Sequence, residues 1–359
     1  MGTIFYSLMG EGRGHAARAR AMTEQLRHKH RVVIYTSFEA LAFLRKIYAD
    51  SSDVEVRETT GIIMEYTRGR LDLPKTVIKG LGLRWNLKKI VQPICHDIGR
   101  DQPDIVVTDF EPTVARAAQR CGVPIMSLDH QHFIVAYDLG SLPWKLRPYA
   151  WGMVPVVKSF GLGQQKTVVS AFFFSRLRPA YRDVVQVGPI LRPLVRQTVA
   201  TVGDHILCYF RRHTPERIVD LMTHAERPVR IYGLGERPAR DNLHFCKIAE
   251  EPFVADLASA WAVVGAAGNQ LSGETLYFGK PFLTIPEKNH HEQRINAHFV
   301  KELGAGDWQF IENIQPDDLR GFLGEAENYR VNLANSPHQF DGTGDALAEI
   351  EAFLQLATN

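Results

Sequence analysis

Short runs of apolar and β-branched residues alternate with stretches of helical periodicity along the chain. A first series consists of TIFYSL, RVVIYTS, VEVRE, DIVVTD, PIMSLD, AFFFS and VVQVG, with helical patterns such as Ala16 to His30 and Pro112 to Arg120 between them. A second series consists of HILCYF, VRIYG, HFCKI, AVVGA and PFLTIP. Strands that alternate with helices are typical of parallel sheets with crossover helices. The pattern therefore predicts an α/β protein with two doubly wound parallel sheets.

The two series are separated by VGPILRPLVRQTVATVGD, a stretch with prolines, glycines and no clear period. Such composition is typical of a connection between domains. We therefore predict an N-terminal domain over residues 1–192, a linker over 193–203, a second domain over 204–340, and a C-terminal helix over 341–359. That last helix follows a turn-rich break and could cap either domain, including by crossing back to the first.

Composition narrows the function classes only slightly. The 359 residues are 45% hydrophobic and 23% charged with a formal net charge of +2, which describes an ordinary globular protein and indicates no nucleic-acid partner. The four cysteines form no C-x-x-C pair, so we predict reduced thiols without a zinc or redox site. With no secretory leader and no apolar run of about 18–20 residues, a cytoplasmic protein is expected.

The first candidate chemistry lies in GEGRGHAARAR, directly after the strand TIFYSL. Gly10, Gly12 and Gly14 form G-x-G-x-G, which matches neither the dinucleotide fingerprint nor a P-loop. The glycines permit a tight turn and place His15 in the first turn of the next helix. A histidine there can accept a proton from an incoming hydroxyl, so His15 is a candidate general base. Simple packing or capping in the loop is the alternative.

A carboxylate partner for this histidine is predicted at the end of another strand, in PDIVVTDFEPTVARAA. Asp109 ends the apolar run and lies at the carboxyl edge of the same predicted sheet. It could orient the imidazole and stabilise the imidazolium. The alternative is a helix N-cap, and Glu111, two residues further on, competes for that position.

LDHQHF follows the next predicted strand and brings His130 and His132 close together. With only Asp129 beside them they are a thin ligand set, so we predict no metal. We expect them to line a substrate site together with Gly12, Gly14 and Glu111.

In the second domain, AAGNQLSGE is a small-residue loop that runs into a helix starting near Asn269. The exposed N–H groups of Gly268, Asn269 and Gln270 would bind a diphosphate. Glu274, about one and a half turns further on, can accept hydrogen bonds from ribose hydroxyls. Its alternative is a favourable charge near a helix N-terminus.

A second helix of this domain opens in EKNHHEQRINAHF. Glu292 and Gln293 stand at its start, and Gln293 and Asn296 share one face at i, i+3 spacing. These groups can donate to and accept from sugar hydroxyls. A solvated helix face is the alternative.

The stretches GAAGNQLSGETLYFGKPFLTIP and HHEQRINAHFVKELGAG resemble the donor-binding half of inverting nucleotide-sugar glycosyltransferases with the GT-B fold. The chain is similar to the lipid-linked N-acetylglucosaminyltransferase of peptidoglycan synthesis, to diacylglycerol galactosyltransferases, and to bacterial glycosyltransferases with an E-Q-x-x-N-A signature. The resemblance implies two Rossmann-like domains facing a central cleft. It also implies inverting, metal-independent transfer of a hexosyl or N-acetylhexosaminyl group from a nucleotide-diphospho-sugar, with UDP-sugar favoured and no cofactor.

Carried over residue by residue, the resemblance assigns roles to the candidates. GRGH and TDF match the general base and its orienting aspartate, at His15 and Asp109. The donor residues implied are Gly268, Asn269 and Gln270 for the diphosphate, Glu274 for the ribose, Glu292, Gln293 and Asn296 for the sugar, and Phe253 and Val254 for the uracil. Phe253 and Val254 also fit as core residues. Arg211 would help neutralise the diphosphate, although a solvated pair with Arg212 fits as well. LSGE departs from the usual T-x-S-E, which leaves the diphosphate contacts less firmly matched than the ribose contact.

A basic, amphipathic segment covers residues 67–89, TRGRLDLPKTVIKGLGLRWNLKK, with seven Lys or Arg against one aspartate. Together with LPWKLRPYAWGMVPVVKSFGLG it would suit anionic headgroups and a lipid-linked acceptor at the inner face of the cytoplasmic membrane. A loop over a soluble acceptor would look similar.

Two other functions fit the same residues. Nucleotide-sugar hydrolases and 2-epimerases use a similar cleft, and donor turnover without an acceptor would separate them from a transferase. A non-catalytic module that binds nucleotide-sugar or recruits a membrane subunit is the other alternative. His15 and Asp109 together argue against it, since binding a donor requires neither.

Overall fold

The structure is a computed structural model that describes residues 1–11, 13–61, 66–67, 70–71, 87–161 and 163–358. The chain divides into two compact units. The first comprises Met1–Tyr66, Asp72–Arg192 and Asp341–Asn359, and the second comprises Thr67–Leu71 and Pro193–Phe340.

The described part of the first unit contains a parallel sheet of seven strands. These are β1 Thr3–Leu8, β2 Arg31–Thr36, β3 Val54–Glu58, β6 Ile105–Asp109, β7 Ile125–Asp129, β8 Lys166–Ser170 and β9 Val185–Val187. Their order is β3-β2-β1-β6-β7-β8-β9, and each neighbouring pair is parallel. The short strands β4 Tyr66–Thr67 and β5 Arg70–Leu71 pair with each other, and all of their residues except Tyr66 belong to the second unit.

Helices cover both faces of this sheet. They are α1 Arg13–Leu26, α2 Phe38–Ile47, α3 Leu87–Asp101, α4 Pro112–Cys121, α5 Phe133–Ala136 and α6 Arg147–Phe160, with a 3₁₀ turn at Pro179–Tyr181. Alternate residues of β1 enter different cores: Ile4 and Tyr6 pack on one face and Phe5 on the other. Burial on both faces explains why these strands are continuous apolar runs instead of alternating ones.

The C-terminal helix, here α14 Thr343–Thr358, belongs to the first unit. Its apolar face, which includes Ile350 and Phe353, packs into the core that contains Ile4. Glu351 lies 3.2 Å from the ring of His30, which directly precedes β2. The sequence left open which domain this helix packs on, and in the structure it packs on the first unit.

The described part of the second unit contains a six-stranded parallel sheet. Its strands are β10 Ile206–Tyr209, β11 Val229–Tyr232, β12 Leu243–Cys246, β13 Ala262–Gly265, β14 Phe282–Thr284 and β15 Gly306–Trp308. The order is β12-β11-β10-β13-β14-β15. The chain reverses its direction of winding between β10 and β13, which are neighbours. Ligands of open α/β sheets bind at such a point, beyond the carboxyl ends of the strands.

The helices of this unit follow the same alternation. They are α7 Pro193–Gln197, α8 Glu216–Leu221, α9 Glu250–Ser259, α10 Asn269–Tyr277, α11 His291–Glu302, α12 Pro316–Gly324 and α13 Ala326–Ala334, with a 3₁₀ turn at Met222–Ala225.

Two local expectations differ from the structure. AFFFS is not a strand, because β8 ends at Ser170 and Phe172 and Phe173 instead join a buried aromatic cluster with Phe133. An apolar run alone does not distinguish these two environments. Residues 193–203 are not an irregular connection throughout: they begin with α7, and the N–H of Thr201 donates to the carbonyl of Ala258.

Candidate active site

The carboxyl ends of β1 and β6 bring His15 and Asp109 together. The register pairs Leu8 with Asp109, and the N–H of Met9 donates to the Asp109 carbonyl at 3.1 Å. His15 is the third residue of α1, the helix that follows β1. Its Nδ1 lies 3.0 Å from Oδ1 of Asp109, and the Asp109 side chain is fully buried. The two residues that the sequence singled out as base and orienting carboxylate are therefore in direct contact.

Arg18, one turn after His15 on α1, is the residue of this cluster that the sequence analysis missed. Its Nη2 donates to Asp109 Oδ1 at 2.9 Å and to Oδ2 at 3.0 Å, and its Nε lies 3.2 Å from Oδ2. The same Nη2 lies 3.0 Å from His15 Nδ1. The i, i+3 spacing of a histidine and an arginine was the available signal.

Burial and the neighbouring cations act in opposite directions on Asp109. Burial would raise the pKa of this carboxyl, but the Arg18 guanidinium and His15 hold it below its ordinary value. Asp109 in turn raises the pKa of the buried Arg18, against the effect of burial. The cluster is therefore a buried, ionised carboxylate with a guanidinium and an imidazole on it.

Glu111, not Asp109, caps α4. The Glu111 carboxylate accepts hydrogen bonds from the N–H groups of Thr113 and Val114, each at 2.8 Å, and Pro112 occupies the first helical position. Burial raises the pKa of Glu111. The capping alternative for Asp109 is thereby removed, and Glu111 is buried at the helix end.

The backbone between these two carboxylates is strained. Phe110 has φ of 57°, in the left-handed region that bulky side chains rarely adopt. Its ring is buried and pairs with that of Phe160 of α6 at 4.6 Å between centroids. Strain of this kind occurs at functional sites, where the surrounding packing holds it in place.

His130 and His132 are both buried and bonded within the first unit. His132 Nδ1 lies 2.6 Å from Asp129 Oδ2, and its Nε2 lies 3.3 Å from the amide of Gln164. His130 Nδ1 lies 3.2 Å from the carbonyl of Ser170. Both ring nitrogens of His132 thus contact protein groups, which suits a structural role better than acceptor contact.

In the second unit, α10 begins where the small-residue loop after β13 ends. Gly268 is its N-cap residue, with extended backbone, and Asn269 is its first residue. Glu274 is 1% exposed, and its Oε1 accepts from the Gln270 amide at 2.8 Å. Gln270 and Glu274, predicted to bind different parts of a donor, therefore lie together on one helix face.

Gln293 and Asn296 are buried, which excludes a solvated face for this pair. Gln293 Oε1 accepts from the N–H of Glu287 at 2.8 Å, and Asn296 Nδ2 donates to the carbonyl of Ala267 at 2.9 Å. The second bond fastens α11 to the loop that precedes α10. Glu292, in the first turn of α11, is partly exposed.

His290 caps α11 and was also missed by the sequence analysis. Its Nδ1 accepts from the N–H of Gln293 at 3.4 Å. Burial lowers the pKa of His290 and outweighs the opposing effect of Glu292, which favours the neutral ring as the acceptor.

Arg211 lies beyond β10, in a pocket at the carboxyl ends of β10, β13 and β14. Its Nη1 is 3.5 Å from a carboxylate oxygen of Glu287. The pocket is lined by Tyr209, Phe210, Arg211, Thr214, Ile218, Ala266, Ile285, Glu287 and Ile311. Arg211 is therefore at the winding reversal, where the sheet topology favours a ligand.

Phe253 and Val254 lie on α9 and are buried. The Phe253 ring packs edge-on against the rings of Tyr209 and Tyr232, with centroids 5.8 and 5.1 Å apart. Their side chains fit the core alternative, and contact with a nucleotide base stays a prediction.

Some expectations cannot be located. Gly12 and most of residues 67–89 lie outside the described residues, and Gly14 is in the first turn of α1. Within the described part of the chain, no group of three or more His, Cys, Asp or Glu is arranged to hold a metal ion. None of the described helices is long and apolar enough to cross a membrane.

Comparison with known proteins identifies the family. The pattern of glycosyl transferase family 1 matches residues 2–326. An uncharacterized glycosyltransferase of Methanosarcina mazei is 24% identical over 340 residues, covering 84% of this chain and 85% of the relative. The calicheamicin glycosyltransferase CalG4 superposes with a TM-score of 0.70 at 18% identity, covering 99% of this chain and 98% of that one. Arabidopsis thaliana UGT89C1, solved with UDP-L-rhamnose, has a TM-score of 0.68 at 14% identity, with 99% of each chain covered.

At these identities the two structures show the fold alone, and the family match covers most of the chain. The chain belongs to glycosyl transferase family 1, and it is a glycosyltransferase with the GT-B fold.

Proposed function

We propose that this protein is an inverting, metal-independent glycosyltransferase that moves a sugar from a nucleotide-diphospho-sugar, with UDP favoured, to an acceptor hydroxyl. The observation that carries the proposal is the contact of 3.0 Å between His15 Nδ1 and the buried Asp109 carboxylate. With Nδ1 on the carboxylate, Nε2 is the nitrogen that takes the acceptor proton. A hydrolase or an epimerase on this fold stays the alternative.

In the proposed step, the acceptor oxygen forms a bond to the anomeric carbon while the bond from that carbon to the diphosphate breaks. The hydroxyl proton goes to His15, and Asp109 stabilises the imidazolium. Attack from the face opposite the leaving group inverts the anomeric configuration. Negative charge that develops on the diphosphate would be met by the N-terminus of α10 and by Arg211.

The second unit supplies the groups that we assign to the donor. Gly268 to Gln270 offer backbone N–H groups at a helix N-terminus, where anions bind. Glu274 is a buried acceptor that we assign to ribose hydroxyls. Glu292 and Gln293 lie in the first turn of α11, where we place the sugar. UGT89C1 was solved with UDP-L-rhamnose, which supports a UDP-sugar as donor without specifying the sugar.

Calorimetric titration with UDP and a panel of UDP-sugars tests the donor assignment. Replacing Glu274 by Gln removes a charged acceptor, so we expect UDP to bind about 10- to 100-fold more weakly. Glu251→Gln, at an exposed glutamate of α9, is the matched control and should leave binding unchanged. His15→Gln should bind UDP like the parent protein. Silence of UDP and of other nucleoside diphosphates would overturn the proposal.

The acceptor that we favour is carried on a lipid. Trp144 and Trp151 are 72% and 65% exposed, at the loop before α6 and on α6 itself. Lys145 and Lys158 are exposed on the same segment. Tryptophan with flanking lysine is the combination that binds at the interface of an anionic bilayer. We therefore propose that this segment, with residues 67–89, brings the enzyme to a membrane surface.

Vesicle flotation measures this contact directly. We expect binding to vesicles that contain phosphatidylglycerol, weaker binding to phosphatidylcholine alone, and loss of both when Trp144 and Trp151 are replaced by serine. Equal flotation of the parent and the double variant would show that these tryptophans do not mediate it. UDP binding should be the same in both, since the substitutions lie in the first unit.

A further inference from the structure

Arg18 and His15 both contact the Asp109 carboxylate, and they also contact each other. His15 Nδ1 lies 3.0 Å from Asp109 Oδ1 and 3.0 Å from Arg18 Nη2. A guanidinium can only donate and a carboxylate can only accept. Nδ1 can therefore satisfy one neighbour at a time. If it carries a proton it donates to Asp109, and if it is bare it accepts from Arg18.

The remaining contacts decide between these two tautomers. Arg18 makes three contacts of 2.9 to 3.2 Å with the oxygens of Asp109, so its Nη2 has an acceptor without the histidine. A proton on Nδ1 has Asp109 as its acceptor in this cluster. A bare Nδ1 would place two acceptors, the ring nitrogen and Asp109 Oδ1, in repulsive contact at 3.0 Å, so the protonated Nδ1 is favoured, which leaves Nε2 as the proton-accepting nitrogen. This is the tautomer that a general base at His15 requires.

Charge decides how many protons the pair of His15 and Asp109 holds. The Asp109 carboxylate is fully buried and the Arg18 side chain is 4% exposed, so their interaction is weakly screened. A guanidinium this close opposes a further proton on either member of the pair. Among the described residues, Tyr6 from β1 and Asp129 from the end of β7 also act on the cluster.

We propose that Arg18 is a positioning residue for the glycosyl transfer reaction. It holds both oxygens of Asp109 so that the carboxylate faces His15 Nδ1. Its positive charge also opposes the binding of a further proton by His15 and Asp109, so that Nε2 of His15 stays bare until it takes the proton of the acceptor hydroxyl. The inference rests on the proposed function, since it gives a role to the same base.

Removal of Arg18 has a specific consequence. Without the guanidinium, the pair takes up a proton at higher pH, whether that proton resides on the carboxyl or on the imidazole; the midpoint belongs to the pair. In either case Nε2 of His15 is available as a base over a narrower range of pH than in the parent protein. A role in packing alone would not move this midpoint.

The test is the ¹⁵N NMR spectrum of the full chain labelled in histidine, with His15→Gln to assign the His15 signals. In the parent protein we expect Nδ1 to be protonated and Nε2 bare. In Arg18→Met the protonation midpoint should rise by about one pH unit or more, a tenfold change in the proton affinity of the pair. Arg18→Lys keeps a charge without the bidentate geometry and should lie between the two.

Arg27→Met is the matched control, because Arg27 binds Asp53 with the same two-pronged geometry at a partly exposed site. It should leave the His15 signals unchanged. Protonation of Nε2 in the parent protein would overturn the inference, and so would an unchanged midpoint in a folded Arg18→Met protein. If that variant does not fold, the parent tautomer and the Arg18→Lys midpoint decide.

These readouts need neither donor nor acceptor, so they are independent of the proposed function. Failure of UDP to bind would remove that function and leave the tautomer and the midpoint as measured properties of the cluster. Normal UDP binding with an unmoved midpoint would remove only the role of Arg18.

Discussion

The candidate groups of the two units differ in how they use charge. At the carboxyl ends of β1 and β6, an ionised Asp109 is fully buried against Arg18 and His15. At α10 and α11 the buried contacts are mostly amides on carbonyls or carboxylates, such as Asn296 on Ala267 and Gln270 on Glu274. Moving a proton requires a positioned charge, whereas holding a polar ligand requires donors and acceptors fixed in place. The contrast suggests that chemistry is concentrated in the first unit and recognition in the second.

The largest effect expected from this contrast is on the rate of transfer in His15→Gln. General base catalysis contributes about 10²- to 10⁴-fold, so the initial rate with a UDP-sugar and an acceptor found by screening should fall by that factor. UDP affinity should not change. His28→Gln, at an exposed histidine just beyond α1, is the control. A loss of UDP binding in His15→Gln would break the division between the units.

The next effect is on stability. Asp109→Asn leaves Arg18 buried without its counter-ion, and breaking a buried ion pair in this way costs about 3–5 kcal/mol. We expect a clear fall in the midpoint of urea unfolding. Asp53→Asn removes the carboxylate of the partly exposed Arg27 pair and should cost about 1 kcal/mol or less. Similar losses in the two variants would mean that burial does not distinguish the pairs.

The stability of Asp109→Asn should also differ from that of the parent in its pH dependence. The pKa of Asp109 is lower in the folded chain than its ordinary value, so the carboxylate stabilises the fold at higher pH and loses this effect as pH falls through the folded pKa. The free energy of unfolding of Asp109→Asn should therefore fall less steeply in acid than that of the parent. An equal slope would contradict the ionised state of Asp109.

A third, smaller effect tests the neutral contacts of the second unit. Asn296 is completely buried, and Asn296→Leu leaves the carbonyl of Ala267 without this donor, at a cost of about 1–3 kcal/mol. Asn332 makes the same kind of bond to the carbonyl of Gly304 on the surface, so Asn332→Leu should have little effect. The affinity for UDP, measured by titration, should also fall in Asn296→Leu but not in Asn332→Leu, because only in the first does the loop before α10 lose its attachment to α11.

The fold followed from the sequence because alternating strands and helices leave few topologies. Burial of β1, β6 and β7 on both faces requires apolar runs, and those runs are visible in the letters. AFFFS misled because buried aromatic residues of a loop have the same composition as a buried strand. The short strand β15 was not recognised because its three residues, Gly-Asp-Trp, form no apolar run, whereas the equally short β9 and β14 lie within such runs.

The sequence predicted His15 and Asp109 as part of the candidate site but not Arg18, and the reason lies in where each residue stands in the fold. His15 and Asp109 follow strands, and parallel strands bring their carboxyl ends to one edge. Arg18 could not be assigned in the same way, because an arginine on an amphipathic helix is ordinarily exposed. Its role depends on a tertiary contact with a residue 91 positions away. The burial of His130 and His132 likewise depends on neighbours from distant strands.

The smallest effect concerns a buried cation of the second unit that has a neutral partner. Lys280 is 1% exposed, and its ammonium donates to the carbonyl of Thr201. Burial and the nearby Arg330 lower its pKa to about 8. The unfolded chain therefore binds more protons between this value and the ordinary pKa of about 10.4, and the free energy of unfolding should rise with pH across that window. Lys280→Met should flatten this rise, whereas Lys247→Met, at an exposed lysine, should not. If the rise persists without Lys280, its cause lies elsewhere. If the rise disappears in Lys280→Met, the buried charge of Lys280 destabilises the second unit. In the first unit, the buried charge of Arg18 avoids this cost because Asp109 neutralises it.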